Sequence, residues 1–100
     1  MAITANVDLG NGVTASSCYI IVPTAYVKKM EDDSFKLIYD VEIYQNKSAR
    51  DSDTRQSKKI ACKEVDHHKI DYDPTTSDNP FKLAYTHLKT NSKLSSVSDA

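Results

Sequence analysis

The segment from Phe35 to Tyr44 limits the possible folds more than any other part of this chain. It reads Phe-Lys-Leu-Ile-Tyr-Asp-Val-Glu-Ile-Tyr. Phe35, Leu37, Tyr39, Val41 and Ile43 fall at every second position. In an extended strand they share one face, with Lys36, Ile38, Asp40, Glu42 and Tyr44 on the other. A helix would scatter the five around its circumference. A strand with one wholly apolar face has to lie in a sheet that is packed against a second layer.

The flanking sequence supplies partners for that strand. Ile3, Ala5, Val7 and Leu9 also alternate with polar residues, the period of a half-buried strand. Gly10-Asn11-Gly12 follows, and glycine and asparagine tolerate the positive φ of a tight hairpin turn. Val13 to Met30 is rich in β-branched and aromatic residues, with Tyr19-Ile20-Ile21-Val22 apolar on both faces. Pro23 has no amide to donate to a ladder, so it marks an edge, a bulge or a break. Glu31-Asp32-Asp33-Ser34 is a second turn. It makes Tyr26-Val27-Lys28 and Phe35-Lys36-Leu37 the arms of a hairpin.

Beyond Tyr44 the pattern weakens. Asn46 to Ser57 has no large apolar residue and carries Arg50, Asp51, Asp53 and Arg55; it reads as a solvated loop or an arm ordered by a neighbour. Lys58 to Val65 is strand-like, with Ile60 and Cys62 on one face and Val65 out of phase. Ile70 and Tyr72 form a short extended piece ended by Asp73-Pro74. Ser77-Asp78-Asn79-Pro80 is a helix start, with Asp78 or Asn79 as cap and Pro80 in the first turn. Phe81, Ala84, Tyr85 and Leu88 then form one helical stripe that ends near Asn91. Ser92 to Ala100 is Ser-rich and reads as a tail that is disordered in isolation. The expected fold is mainly β (α+β): a small antiparallel β-sandwich or barrel of five or six strands with one C-terminal helix. Residues 1–91 form a single domain and 92–100 a polar tail.

At 100 residues the chain makes one domain. Its 39% hydrophobic share is too low for a membrane span and too high for full disorder. The N-terminus has no basic region followed by an apolar one, so no secretion signal is expected. A formal net charge of -1 argues against nucleic acid as the main partner, since phosphate contacts need a surplus of Lys and Arg. From Met1 to Val27 the only charged residue is Asp8. Such a stretch stays soluble only when its own fold or partners cover it.

The order of motifs carries a resemblance. The first strand ends in Leu9-Gly10-Asn11-Gly12-Val13. Ala15, Cys18-Tyr19-Ile20-Ile21, a charged hairpin and Val41-Glu42-Ile43-Tyr44 follow. The chain then reaches Ala84-Tyr85-Thr86-His87-Leu88-Lys89-Thr90. Over Ile3 to Thr90 this resembles small tail-associated virion proteins of tailed bacteriophages. Asp66-His67-His68-Lys69 has no counterpart in that pattern. The resemblance implies a non-enzymatic structural part of the tail, neck or baseplate, assembled in the host cytoplasm into the virion. Its partners would be copies of itself and other virion proteins, with no membrane or small-molecule substrate. The alternative is a small phage or bacterial inhibitor that grips one host protein.

Candidate chemistry is thin. His67-His68 invites a metal, but neighbours on a strand point to opposite faces. No spacing supplies the two further ligands that tetrahedral zinc requires, so a surface polar pair is the favoured reading. A thiolate pair of Cys18 with His67 or His87 is disfavoured because burial in an apolar strand raises a thiol pKa. Cys18 and Cys62 read as buried free thiols, although sequence leaves a disulfide open. Asp32-Asp33 and Asp51-x-Asp53 lack the pattern of a calcium loop. Lys28-Lys29 and Lys58-Lys59 read as solvated edge residues. No catalytic, cofactor-binding or metal-ligating residue is expected.

Six tyrosines remain. Tyrosine gives large contact area at small entropic cost and is enriched at interfaces. The interface candidates are therefore Tyr19, Ile21, Tyr26 and Tyr44, with Arg50 and Arg55 from the polar loop. Intersubunit contacts are expected from the N-terminal hairpin and the Asn46–Ser57 loop.

Overall fold

The alternating N-terminal segment folds as β1 (Ile3–Gly10) and turns back into β2 (Val13–Lys29). Gly10 and Gly12 sit at φ 87° and 77°, the left-handed region the hairpin demands. The structure, a computed structural model, describes residues 2–10, 12–52, 59–75 and 79–100. Asn11, Asp53, Arg55, Lys58 and Asp78 lie outside the described residues. β2 is long enough to pair with β1 through its first half and with β3 (Phe35–Tyr44) through its second. The second hairpin closes where the Met30 amide donates to the Ser34 carbonyl at 2.8 Å. Asp33 takes φ 66° at the last of the three loop positions, as a three-residue hairpin loop requires. Asp32 Oδ1 accepts from the Ser34 amide and hydroxyl. This holds its carboxyl below the usual carboxylate range.

β4 (His67–Tyr72) and β5 (Leu94–Asp99) complete one antiparallel sheet in the order β4-β3-β2-β1-β5. The expected small β-rich α+β fold forms. Among the described residues the strands make a single sheet with two edges, and helices rather than a second sheet supply the other layer. Of the helices α1 (Lys47–Ser52), α2 (Lys63–Asp66) and α3 (Pro80–Leu88), α2 and α3 bring Val65, Ala84, Tyr85 and Leu88 into the core. There they meet Ile3, Val7, Ile20, Leu37, Tyr39 and Ile43. The Asn79 side chain caps α3, accepting the Phe81 amide at 2.8 Å, and Pro80 occupies the first turn.

Three expectations are corrected. Residues 92–100 are not a tail: β5 pairs with β1 from Ile3↔Asp99 to Val7↔Leu94, and Leu94 is buried. A bulge at Ser96, φ 52°, lets Leu94 and Val97 both join the core despite a spacing of three. Lys58 to Val65 is not a strand where described. Cys62, the extended N-cap residue of α2, and Val65 within it both reach the core, while the Ile60 amide donates to the Ile43 carbonyl at 2.7 Å. Within the polar loop, Lys47–Ser52 is the short helix α1, whose start is fixed by the Asn46 side chain accepting the Ala49 amide.

Candidate functional site

Bulges in β2 decide which residues face the helices and which do not. Ser17, at φ 52°, bulges between the pairs Ala5↔Cys18 and Val7↔Ala15, and its amide donates to the Asn6 side chain at 2.9 Å. A second shift lies between Ile21↔Glu42 and Thr24↔Asp40. Cys18, Ile20 and Val22 point to the core before it, and Ala25 and Val27 after it. The opposite face of β2 therefore carries Tyr19, Ile21, Thr24, Tyr26 and Lys28. Beside them on β3 stand Tyr44, Glu42, Asp40, Ile38 and Lys36, in register.

The structure thus brings four interface candidates onto one face, but not to equal depth. Tyr26 is 48% exposed, while Tyr19 and Ile21 are half-buried. Tyr44 is corrected as a surface candidate: it is 3% exposed, and its hydroxyl donates to Glu42 Oε2 at 3.3 Å. Ile38 is also buried, flanked in register by Tyr26 and Lys69. Arg50 lies apart, on α1, where it is exposed and its guanidinium meets Asp51 at 3.4 Å. Arg55 is outside the described residues.

Charge is unevenly placed on this face. Toward the β2–β3 turn stand Lys28 and Lys36, the latter ion-paired with Asp71 of β4. Toward the other end stand Asp40 and Glu42. Asp40 Oδ1 meets His67 Nδ1 at 2.6 Å, with both side chains more than half exposed. So exposed a pair contributes at most about 1 kcal/mol. Here β4 leaves β3: the ladder stops at Asp40↔His67. The gap is a groove of about 590 Å³ lined by Asp40, Glu42, Lys59, Asp66 and His67 among others.

On the core face, three groups gather that sequence reasoning did not bring together. Register sets His68 opposite Tyr39, and their rings stack with centroids 5.1 Å apart. From α3, His87 places Nδ1 2.5 Å from the Tyr39 hydroxyl and its ring 5.5 Å from that of His68. His68 is therefore not part of a surface pair, although His67 is exposed as expected. Burial, and then the neighbouring His87, push the His68 pKa below its ordinary value, and its Nε2 is buried without a hydrogen-bond partner. Burial pushes the Tyr39 hydroxyl strongly upward, so Tyr39 is a neutral phenol at physiological pH. The cluster is packed between strand and helix, with Tyr39 fully covered. Its one sequence signal was the α3 stripe, where His87 falls three residues after Ala84.

The two thiols are separate and unpaired. Cys18 Sγ lies 3.7 Å from the Ala15 carbonyl, and Cys62 Sγ 3.8 Å from that of Asp8. Burial raises both pKa values. Among the described residues, no group of three His, Cys, Asp or Glu is placed to hold a metal ion. No helix of the described residues is long and apolar enough to cross a membrane. No protein-family pattern, curated protein or solved structure matches the chain.

Proposed function

We propose that this chain is a non-enzymatic structural protein of a tailed bacteriophage particle, in the tail, neck or baseplate. It acts by packing against copies of itself and neighbouring virion proteins. The phage setting rests on the sequence resemblance. The mode of action is supported by one observation: the core helices α2 and α3 cover a single face of the sheet, while the other leaves Tyr26 exposed and Tyr19 and Ile21 half-covered. Aromatic and aliphatic side chains in a polar surround are the usual make-up of a protein interface. The ionisable groups gathered on the core face, Tyr39, His68 and His87, are instead used as packing.

Mass spectrometry of purified phage particles, with copy counting, tests the reading. Many copies of the chain per particle are expected. Its absence from particles, together with stoichiometric capture of a single host protein, overturns the structural role in favour of an inhibitor.

A further inference from the structure

Glu42 stands apart from the other acidic side chains of the groove beyond the end of β4. It is 8% exposed, the one charged residue among the buried side chains described, and it lines the groove. A buried charge is stable only when a counter-charge or several hydrogen bonds compensate it. Among the described residues Glu42 has neither. Its hydrogen bond is the long one of 3.3 Å from the Tyr44 hydroxyl. No Lys, Arg or His of the described residues forms an ion pair with it.

The other two carboxylates of the groove are compensated from within the chain. Asp40 meets His67 at 2.6 Å. Asp66 accepts the Cys62 amide at 3.1 Å and has Lys59 near it as a cation. The walls thus hold three carboxylates against one lysine and one histidine, and the uncompensated charge is the most buried of them. The other lysines of the outer face, Lys28, Lys36 and Lys69, are not among those walls.

Pro23, Ile60 and Ala61 add apolar surface to the same groove. Its volume of about 590 Å³ lies within the roughly 300–1,000 Å³ of clefts that hold ligands. An apolar stem that ends in a positive charge matches both features. The stem lies along the apolar wall and the head reaches the carboxylate, and Arg and Lys side chains have this form. The groove also opens beside Tyr26: Thr24 and Asp40, which line it, are in register two residues from Tyr26 and Ile38. A protein that covers the exposed Tyr26 is placed to insert such a side chain. We infer that the groove receives a basic side chain of a neighbouring protein, with Glu42 as its ion-pair partner. The inference rests on the structural role proposed above and gives the chemistry of one partner.

Nuclear magnetic resonance of the isotope-labelled full chain tests the contact, with N-acetyl-arginine amide and N-acetyl-lysine amide as probes. Titration to roughly 10 mM covers affinities near 1 mM. The amide signals of Val41, Glu42, Ile43, Ile60 and Ala61 should shift and saturate. Glu42→Gln keeps the shape and removes the charge, so it should weaken binding by about tenfold or more. Asp71→Asn removes an exposed carboxylate outside the groove and should leave binding within about twofold of wild type. Because the Glu42 charge is uncompensated in the free chain, Glu42→Gln should hold or raise the urea midpoint. Loss of binding is then not loss of fold. Phage that encode Glu42→Gln should carry fewer copies of the chain per particle, and Asp71→Asn the wild-type number.

No shift at these amides, or a shift that Glu42→Gln leaves unchanged, overturns the inference. So does magnesium chloride that shifts them more strongly than either probe, which makes the groove a metal site. A wild-type copy number with Glu42→Gln overturns it as well. Absence of the wild-type chain from particles is a different result: it removes the structural role and leaves the binding measured in solution untouched.

Discussion

The Tyr85 hydroxyl accepts the Val22 amide at 2.8 Å, joining α3 to the bulge in β2. The bulge takes Val22 out of the ladder with β3, and Pro23 beside it has no amide to offer. A buried backbone N–H without a partner costs about 1–3 kcal/mol. Tyr85 removes that cost while filling the core with its ring. Tyr85→Phe keeps the ring and loses the hydroxyl that accepts the Val22 amide, so it should destabilise the fold by about 1–3 kcal/mol in urea unfolding. Hydrogen exchange at the Val22 amide should quicken more than at Ile20. Unchanged protection there would show that another group takes over the bond.

Leu94 separates a strand from a tail. It is buried opposite Val7, at the edge of the sheet. Leu94→Ala should cost about 2–4 kcal/mol, the range for a large-to-small change in a packed core. Ser95→Ala, exposed on the same strand, should fall within about 0.5 kcal/mol of wild type. Equal, negligible effects at both positions would mean that the segment does not hold to β1.

Why β5 escaped the sequence reading is a matter of geometry. Strand recognition depends on a period of two, and β3 shows it without interruption, as β1 does from Ile3 to Leu9. In β5 the bulge at Ser96 changes the interval between Leu94 and Val97 to three, and serines and Asp99 fill the rest. The same arithmetic hid α2: Val65 out of phase with Ile60 and Cys62 was a helical turn entering a strand-like stretch. Pro23 did announce a bulge, an edge or a break. Choosing among them needed Tyr85, more than sixty residues away. The Tyr26 face was legible only in part: alternation in β3 sets Ile38 and Tyr44 on one face, but in β2 it would set Tyr26 opposite Tyr19 and Ile21, and the bulge between Ile21 and Thr24 brings them together. The Tyr39–His68–His87 cluster was not legible, since it depends on the register of β3 against β4 and on where α3 docks.

Acid should weaken the fold through His68. Its folded pKa lies below the ordinary 6.5, from burial first and His87 second. His67 and Asp66 are its other charged neighbours, and Asp66 offsets part of the shift. A depressed histidine is neutral when folded and more readily protonated when unfolded. Above the unfolded pKa it leaves stability unaffected; as pH falls below about 6.5 the unfolded chain takes up the proton first, and stability drops until the folded pKa is reached. His68→Phe keeps a ring against Tyr39. It should flatten the fall in urea midpoint between about pH 7 and pH 5. A slope identical to wild type would assign the acid sensitivity to other groups.

The two thiols should be silent in the native state. Cys18 is 1% and Cys62 5% exposed, and burial raises the pKa of each. For Cys62 the nearby Glu64 carboxylate adds to the effect. Little thiolate forms near neutral pH, and what forms is screened from reagent. Native chain treated with a thiol-specific reagent at about pH 8 should react only at the rate of opening, and both thiols should titrate at once in denaturant. Since Cys62 is the N-cap residue of α2 and Cys18 lies on β2, their order of labelling reports which opens first. Cys62, at the start of a helix of one turn, should precede Cys18. Immediate labelling of Cys18 in the native protein would mean that β2 is not sealed against the helices.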